Sequence, residues 1–308
     1  MPEYRWLIPP DFDGKRVRQA ALQGLGLSNG QFKRAKFQGS VLLDGQTVLA
    51  DHPVQAGQTL CLFVPEVENT QPEDIDLPLN VCYQDDSFLI VDKPAPLPSA
   101  SSCHQAAPTL ENAVYHYLGC PEGFVYRPVN RLDKGTSGLM LVALNAHAQH
   151  LLQQLLHTAD FVREYLAVVD GCPPEMEGVV DLPIGKVDEA SVRREIRPDG
   201  KPARTFYRVL EKGPHRSLVR LRLDTGRTHQ IRVHMQALGC PVSGDFLYGT
   251  ELETLPRRFA LHSACVKVRH PITRQWIQRE SPLPHALKDL LSLSKKPHEE
   301  LLEGPQPL

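Results

Sequence analysis

Arg127-Pro-Val-Asn-Arg-Leu-Asp-Lys-Gly-Thr-Ser-Gly-Leu139 runs directly into Met140-Leu-Val-Ala-Leu144. The apolar run from Leu139 has the length of a strand, and the residues before it form a turn, closed by Gly135, Thr136, Ser137 and Gly138, that displays one carboxylate, Asp133. A turn tied to a core strand on its C-terminal side can aim its aspartate. The simpler alternative is an Asx-type turn, in which Asp133 only accepts a hydrogen bond from a nearby backbone N–H.

Working outward, residues 81–93 read as a strand pair interrupted by Asp85-Asp86, with Phe88–Lys93 as the second strand before Pro94. Helices are expected at Thr109–Leu118 and Ala146–Leu156, and further short strands at Tyr165–Val169, Thr205–Leu210, Leu218–Leu223 and Leu261–Val268. Many strands and few helices indicate an α+β fold: a domain over 80–293 with a mixed or antiparallel central sheet and flanking helices. Before it, residues 1–65 form a small α/β unit. Val17–Leu27 has helical spacing, Ser28-Asn-Gly30 can begin a second helix, a hairpin turns at Asp44-Gly45, and Thr59–Val64 closes the unit. Pro65 to Leu79 is acidic and holds three prolines, so residues 66–79 read as an exposed linker, and 294–308 as a poorly ordered tail.

Composition excludes several classes. The 308 residues are 41% hydrophobic and 23% charged, which is ordinary globular material with room for about two domains. No apolar run approaches the ~18 residues of a membrane span, and the N-terminus lacks the layout of a secretion signal, so a cytoplasmic monomer with no membrane partner is expected. Seven scattered cysteines (Cys61, Cys82, Cys103, Cys120, Cys172, Cys240, Cys265) with no Cys-x-x-Cys pair read as reduced thiols, neither a disulfide framework nor a zinc site. The net charge of −2 conceals an uneven distribution. Residues 66–130 hold 10 Asp/Glu against 2 Lys/Arg, whereas 201–280 hold 15 Lys/Arg against 6 Asp/Glu, so a basic face is available for nucleic acid. Arg220 and Arg222 could equally decorate the solvent side of an alternating strand.

Arg131-Leu-Asp133, followed after two positions by Thr136-Ser-Gly138, resembles the catalytic signature of the RluA-type pseudouridine synthases, with Asn130 where that pattern commonly has histidine. Gly226-Arg-Thr-His-Gln-Ile-Arg-Val-His234 and Arg163-Glu-Tyr165 resemble two further motifs, Lys201–Tyr207 and Gly239–Tyr248 two more, and together they span most of 80–272. The order of elements over 14–64 resembles an S4-type RNA-binding domain. The resemblance implies isomerisation of uridine to pseudouridine in structured RNA, ribosomal RNA rather than tRNA, with no cofactor and no metal. It implies Asp133 as nucleophile or base, Arg227 paired with it, and Tyr165 stacked on the target base. It also implies Arg131 in the space the flipped base vacates, Leu261 against the uracil, Arg232 and His229 among the substrate contacts, and Lys33, Arg34 and Lys36 on RNA phosphates. The chemistry suits a carboxylate: breaking the C1′–N1 bond gives the sugar oxocarbenium-like character, which an anion stabilises or traps.

Two other readings compete. A metal hydrolase would use His229, His234 and His262, with Asp245; but no His-Glu-x-x-His is present, and the spacing of the first two turns them apart on a helix. A pure RNA-binding module would have no use for Asp133, Arg227 and Tyr165 together.

Overall fold

The computed structural model describes residues 3–27, 29–64, 71–101, 108–188 and 191–292. Ser28, Cys103, the first part of the expected linker and the expected tail at 294–308 lie outside them. The chain divides into two compact units, Met1–Thr70 and Gln71–Leu308.

In the first unit, β1 (Glu3–Leu7), β2 (Ser40–Leu43), β3 (Gln46–Thr47) and β4 (Thr59–Phe63) form one antiparallel sheet in the order β1-β4-β2-β3. The segment α1 (Val17–Gln19) continues as one π-type turn over Ala20–Gly24, and α2 spans Asn29–Gln38. Val17, Ala20, Ala21, Phe32, Ala35, Leu60 and Leu62 make its core. Phe32 and Ala35 face inward from α2, leaving Lys33 and Lys36 exposed and Arg34 half-buried. The Lys36 ammonium lies 5.0 Å from the ring of Phe37, itself 67% exposed.

The second unit is built on a nine-stranded sheet of order β5-β6-β7-β14-β8-β13-β12-β9, with β15 on β14. Its strands are β5 (Asn80–Gln84), β6 (Phe88–Lys93), β7 (Ser137–Ala143), β8 (Phe161–Asp170), β9 (Glu177–Asp181), β12 (Arg204–Lys212), β13 (Arg216–Leu223), β14 (Leu261–Arg269) and β15 (Trp276–Glu280). A separate hairpin pairs β10 (Ile184–Lys186) with β11 (Arg194–Ile196). Helices α3 (Leu110–Tyr117), α4 (Ala146–Leu155), α5 (Gln230–Ala237) and α6 (His285–Ser292) flank the sheet. The strand pairs are antiparallel except β7 with β14, which run parallel, so the sheet is mixed.

β7 explains why Leu139–Leu144 is a continuous apolar run. A strand buried on both faces cannot alternate. Leu139, Leu141 and Ala143 pack with Ala148 and Leu152 of α4, while Met140 and Val142 pack on the opposite side with Leu110 and Val114 of α3. Each of the buried leucine, methionine and valine side chains contributes about 1.5–3 kcal/mol. The Asn145 side chain caps α4 by accepting from Ala148 N at 2.8 Å, worth ~1 kcal/mol. Residues 71–79, within the stretch expected as an exposed linker, are exposed or half-buried and also bond to α3: Asn112 Nδ2 donates to the Glu73 carbonyl at 2.9 Å, and His116 pairs with Asp74 at 2.7 Å.

Gly138 holds the β7–β14 seam. Its φ is +105°, and a Cβ there would fall on the Ser263 backbone, 2.7 Å from the nitrogen and closer still to the carbonyl oxygen. Gly138→Ala should therefore destabilise the second unit by roughly 3 kcal/mol or more, through strained φ and clash with main chain that cannot yield. Urea unfolding would measure it; a change within about 0.5 kcal/mol would contradict the close approach.

Candidate active site

A cleft of about 640 Å³ opens where the loop before β7, the start of α5, and strands β8 and β14 meet. Its lining includes Arg131, Asp133, Tyr165, Arg227, His229, Arg232 and Leu261, residues far apart in sequence and gathered by the sheet order.

The turn that carries Asp133 closes on the main chain, where Thr136 N donates to the Asp133 carbonyl at 3.0 Å. The side chain is therefore not consumed by its own turn. Gly135 lets the turn sit low, since a Cβ there would stand 2.6 Å from the Phe259 ring. The Arg232 Nη1 donates to Asp133 Oδ2 at 3.0 Å, and His229 Nε2 lies 3.9 Å from the same oxygen. Asp133 Oδ1 takes no hydrogen bond among the described residues, and the side chain is 29% exposed.

Arg232 is positioned from behind. It donates through Nε and Nη2 to the two oxygens of Asp245, at 2.6 and 2.8 Å, a fork whose members are 3% and 0% exposed. Asp245 also accepts from the backbone N–H of Leu247 at 3.0 Å and of Tyr248 at 3.3 Å. The guanidinium lies 4.1 Å from the Phe259 ring centre and 4.9 Å from that of Tyr248. A planar cation held on two edges and one face has little freedom, so the one donor left for Asp133 arrives pre-aimed. Two carboxylates share one guanidinium, so with all three charged the array itself carries one net negative charge, inside a cleft whose lining also holds Arg131, Lys134, Arg163 and Arg227.

The expected partner of Asp133 was Arg227, and here the structure requires a correction. Arg227 precedes α5; its backbone N–H is taken by Gln230 Oε1 at 3.0 Å and its Nε donates to the Pro202 carbonyl at 3.0 Å. Of the two arginines it is Arg232, inside the helix and 2% exposed, that donates to the carboxylate. Tyr165 sits in the middle of β8, opposite Leu221 and Ser263, and burial raises its phenol pKa. Leu261 is buried at the start of β14, and Arg131 is exposed at the cleft. His229 adopts the left-handed conformation (φ 59°) at the N-cap of α5 and bonds Tyr248 Oη through Nδ1 at 2.8 Å. Asn130 is buried and accepts from Leu141 N through Oδ1 at 3.0 Å, which extends the hydrogen bonding of β7. An imidazole nitrogen could accept the same bond. Asp245 was missed as a second carboxylate, because it lies in a Gly-Asp turn with no cation nearby in sequence.

The three histidines of the metal reading do not converge. His234 bonds Thr205 Oγ1 and the Leu182 carbonyl at 2.8 and 3.0 Å; His262 bonds Ser137 Oγ and the Ser281 carbonyl at 2.9 and 3.2 Å. One group among the described residues, Asp74, His116 and Cys120, brings ligand atoms within 4.8 Å of one another, but Asp74 is exposed and the group lies outside the cleft. The six described cysteines are free thiols. No helix among the described residues is long and apolar enough to cross a membrane.

Burial pushes the imidazoles of His229, His234 and His262 below their ordinary value. An unfolded histidine takes up its proton near pH ~6.5, while these folded ones take it up at lower pH. The contribution of these three to stability should thus be steady above about pH 6.5 and fall as pH drops below it, levelling once their depressed folded values are passed. Denaturant midpoints measured across that window test this, and His262→Asn should remove part of the slope; a rise in stability on mild acidification would overturn it.

Residues 87–237 match the family model described as RNA pseudouridylate synthase. Among curated relatives, ribosomal large subunit pseudouridine synthase D of Nitrosomonas europaea is 36% identical, with 94% of this chain and 88% of the relative covered. The protein of the same name from Vibrio cholerae is 34% identical, with 90% of each covered. The solved structure of human RNA pseudouridylate synthase domain containing 1 superposes with a TM-score of 0.56 at 26% identity, covering 75% of this chain and 97% of that one.

Proposed function

The chain belongs to the RluA-type RNA pseudouridine synthases, and from that premise we propose that it isomerises specific uridines of ribosomal RNA to pseudouridine with Asp133 as the reacting carboxylate. The observation that carries the assignment is the Asp133–Arg232–Asp245 array at the cleft, in which one oxygen of Asp133 is held and the other is without a protein partner among the described residues.

Breaking the C1′–N1 bond leaves cationic character on the ribose, and the excess negative charge of the array favours it. Asp133 Oδ1 then either bonds C1′ or removes the 2′ proton; the uracil turns, C5 joins C1′ as the Asp133–C1′ bond breaks or the 2′ proton returns, and the proton on C5 leaves while N1 takes one up. Neither route needs a redox partner. Tyr165 and Leu261 form the apolar wall on which the uracil plane rests while it turns. The raised pKa of Tyr165 supports a packing role for the neutral phenol. Arg131, exposed at the cleft, fills the stack that the flipped nucleotide leaves. His229 and Arg227 contact the nucleotide from the start of α5, the latter as a substrate contact instead of the partner of Asp133. The first unit serves as an S4-like RNA-binding domain, with Lys33, Arg34 and Lys36 of α2 toward phosphates. The protein acts as a cytoplasmic monomer without metal.

Mapping pseudouridine across cellular RNA with and without the gene tests the reading. Loss of one or a few sites in large-subunit ribosomal RNA is expected. An unchanged ribosomal pattern would overturn the ribosomal assignment, and an unchanged pattern in all RNA the activity.

A further inference from the structure

A second groove, of about 720 Å³, lies beside the cleft and shares with it the turn Gly226, Arg227 and Thr228. Its other wall is the β10–β11 hairpin with the segment Asp199–Lys201. The shape is built in: a Cβ on Gly200 would stand 2.6 Å from the Ile184 carbonyl carbon, so only glycine lets this segment close on the hairpin. The hairpin is fixed to the cleft through one hydroxyl, since Arg194 N donates to Tyr248 Oη at 2.8 Å and the same oxygen bonds His229 Nδ1 at 2.8 Å.

The lining is basic. Among its described residues Lys186, Arg194, Arg197, Lys201 and Arg227 stand against two aspartates. Arg197 is matched, forking onto Asp199 at 2.8 and 3.0 Å. Arg194 has no carboxylate partner among the described residues, where its Nη1 donates to the carbonyls of Ser191 and Arg193, both at 3.3 Å. Lys201 is exposed. The charge of Arg194 reaches the cleft, where it is one of the causes lowering the His229 pKa.

We propose that this groove seats the phosphodiester backbone of the RNA strand flanking the flipped uridine, with Arg194 and Lys201 as its phosphate contacts. The proposal rests on the pseudouridine synthase reading and adds a path for the strand to it. A groove continuous with a nucleotide-sized cleft, lined by cations short of carboxylates, fits a polyanion whose charges follow one another at regular spacing. An acidic protein segment would find the same charge, but has no reason to run into the cleft.

The test uses the full chain with the double variant Arg194→Glu, Lys201→Glu on an unmodified large-subunit ribosomal RNA transcript. KM should rise about tenfold or more with kcat nearly unchanged, and the slope of log affinity against log salt should fall by about 1.4–1.8, the loss of two phosphate contacts at ~0.7–0.9 each. Arg194→Lys with Lys201→Arg should restore both. If the double variant does not fold, Lys201→Glu alone, on an exposed side chain, carries the test with a slope change of about 0.7–0.9. If wild-type chain is active and the variant keeps its KM and salt slope, the groove assignment is wrong. If wild-type chain forms no pseudouridine in any RNA, the function reading falls and this inference with it.

Discussion

Replacing Asp133 with asparagine should abolish pseudouridine formation, lowering kcat by on the order of 10⁴-fold or more, as loss of a bond-forming side chain does in other enzymes. RNA affinity should stay within about threefold. The asymmetry follows from the geometry of the carboxylate. One oxygen accepts from Arg232 and can be replaced by the amide oxygen; the other has no described protein partner, so an NH₂ group fits there without an opposing donor. What the amide lacks is the electron pair for C1′ or the basicity for the 2′ proton. Tritium release from C5-labelled uridine in RNA, beside a filter-binding isotherm, separates the two quantities. Residual activity above about 1% of wild type would mean that another group does the chemistry.

Arg232→Met should damage both stability and activity. It leaves Asp245, 0% exposed, with only the N–H groups of Leu247 and Tyr248, and an uncompensated buried charge costs about 3–5 kcal/mol. It also frees Asp133 to leave its aimed position, at a cost of roughly 10²-fold or more in kcat. Adding Asp245→Asn removes the stranded charge, so the double variant should regain much of the stability and none of the turnover. Urea unfolding and single-turnover assays distinguish these, because the two substitutions share one ion pair and cannot be additive. If Arg232→Met unfolds at the wild-type midpoint, the fork onto Asp245 contributes nothing.

The elements with strong local signals were legible in sequence. From Leu139 onward β7 is apolar because it is buried on both faces, and α3 and α4 carry their caps and apolar stripes in the residues themselves. β1 was not legible: Glu3–Leu7 has no fully buried residue, and it is a strand because Thr59–Phe63 lies beside it, far along the chain. β9 and β15 are similar, short and half polar, defined by their partners β12 and β14. The choice between Arg227 and Arg232 was equally nonlocal. Both lie in one nine-residue motif, and only the start of α5 at Gln230 decides which one faces Asp133. Asp245 could have been suspected as the buried carboxylate that a buried arginine requires, had the helix face that carries Arg232 been read as buried.

The parallel seam between β7 and β14 has a consequence for how the protein is made. β14 enters between β7 and β8, two strands already complete about a hundred residues earlier, and it is the strand that joins them. A nascent chain that has not yet delivered Leu261–Arg269 therefore holds two long apolar edges facing an unfilled slot, with Leu261 missing from the cleft. Such a chain is prone to edge-to-edge association. A messenger cut short between the end of β8 and codon 261 should yield insoluble product instead of a weakened enzyme, and modification should begin only after nearly the whole second unit has left the ribosome.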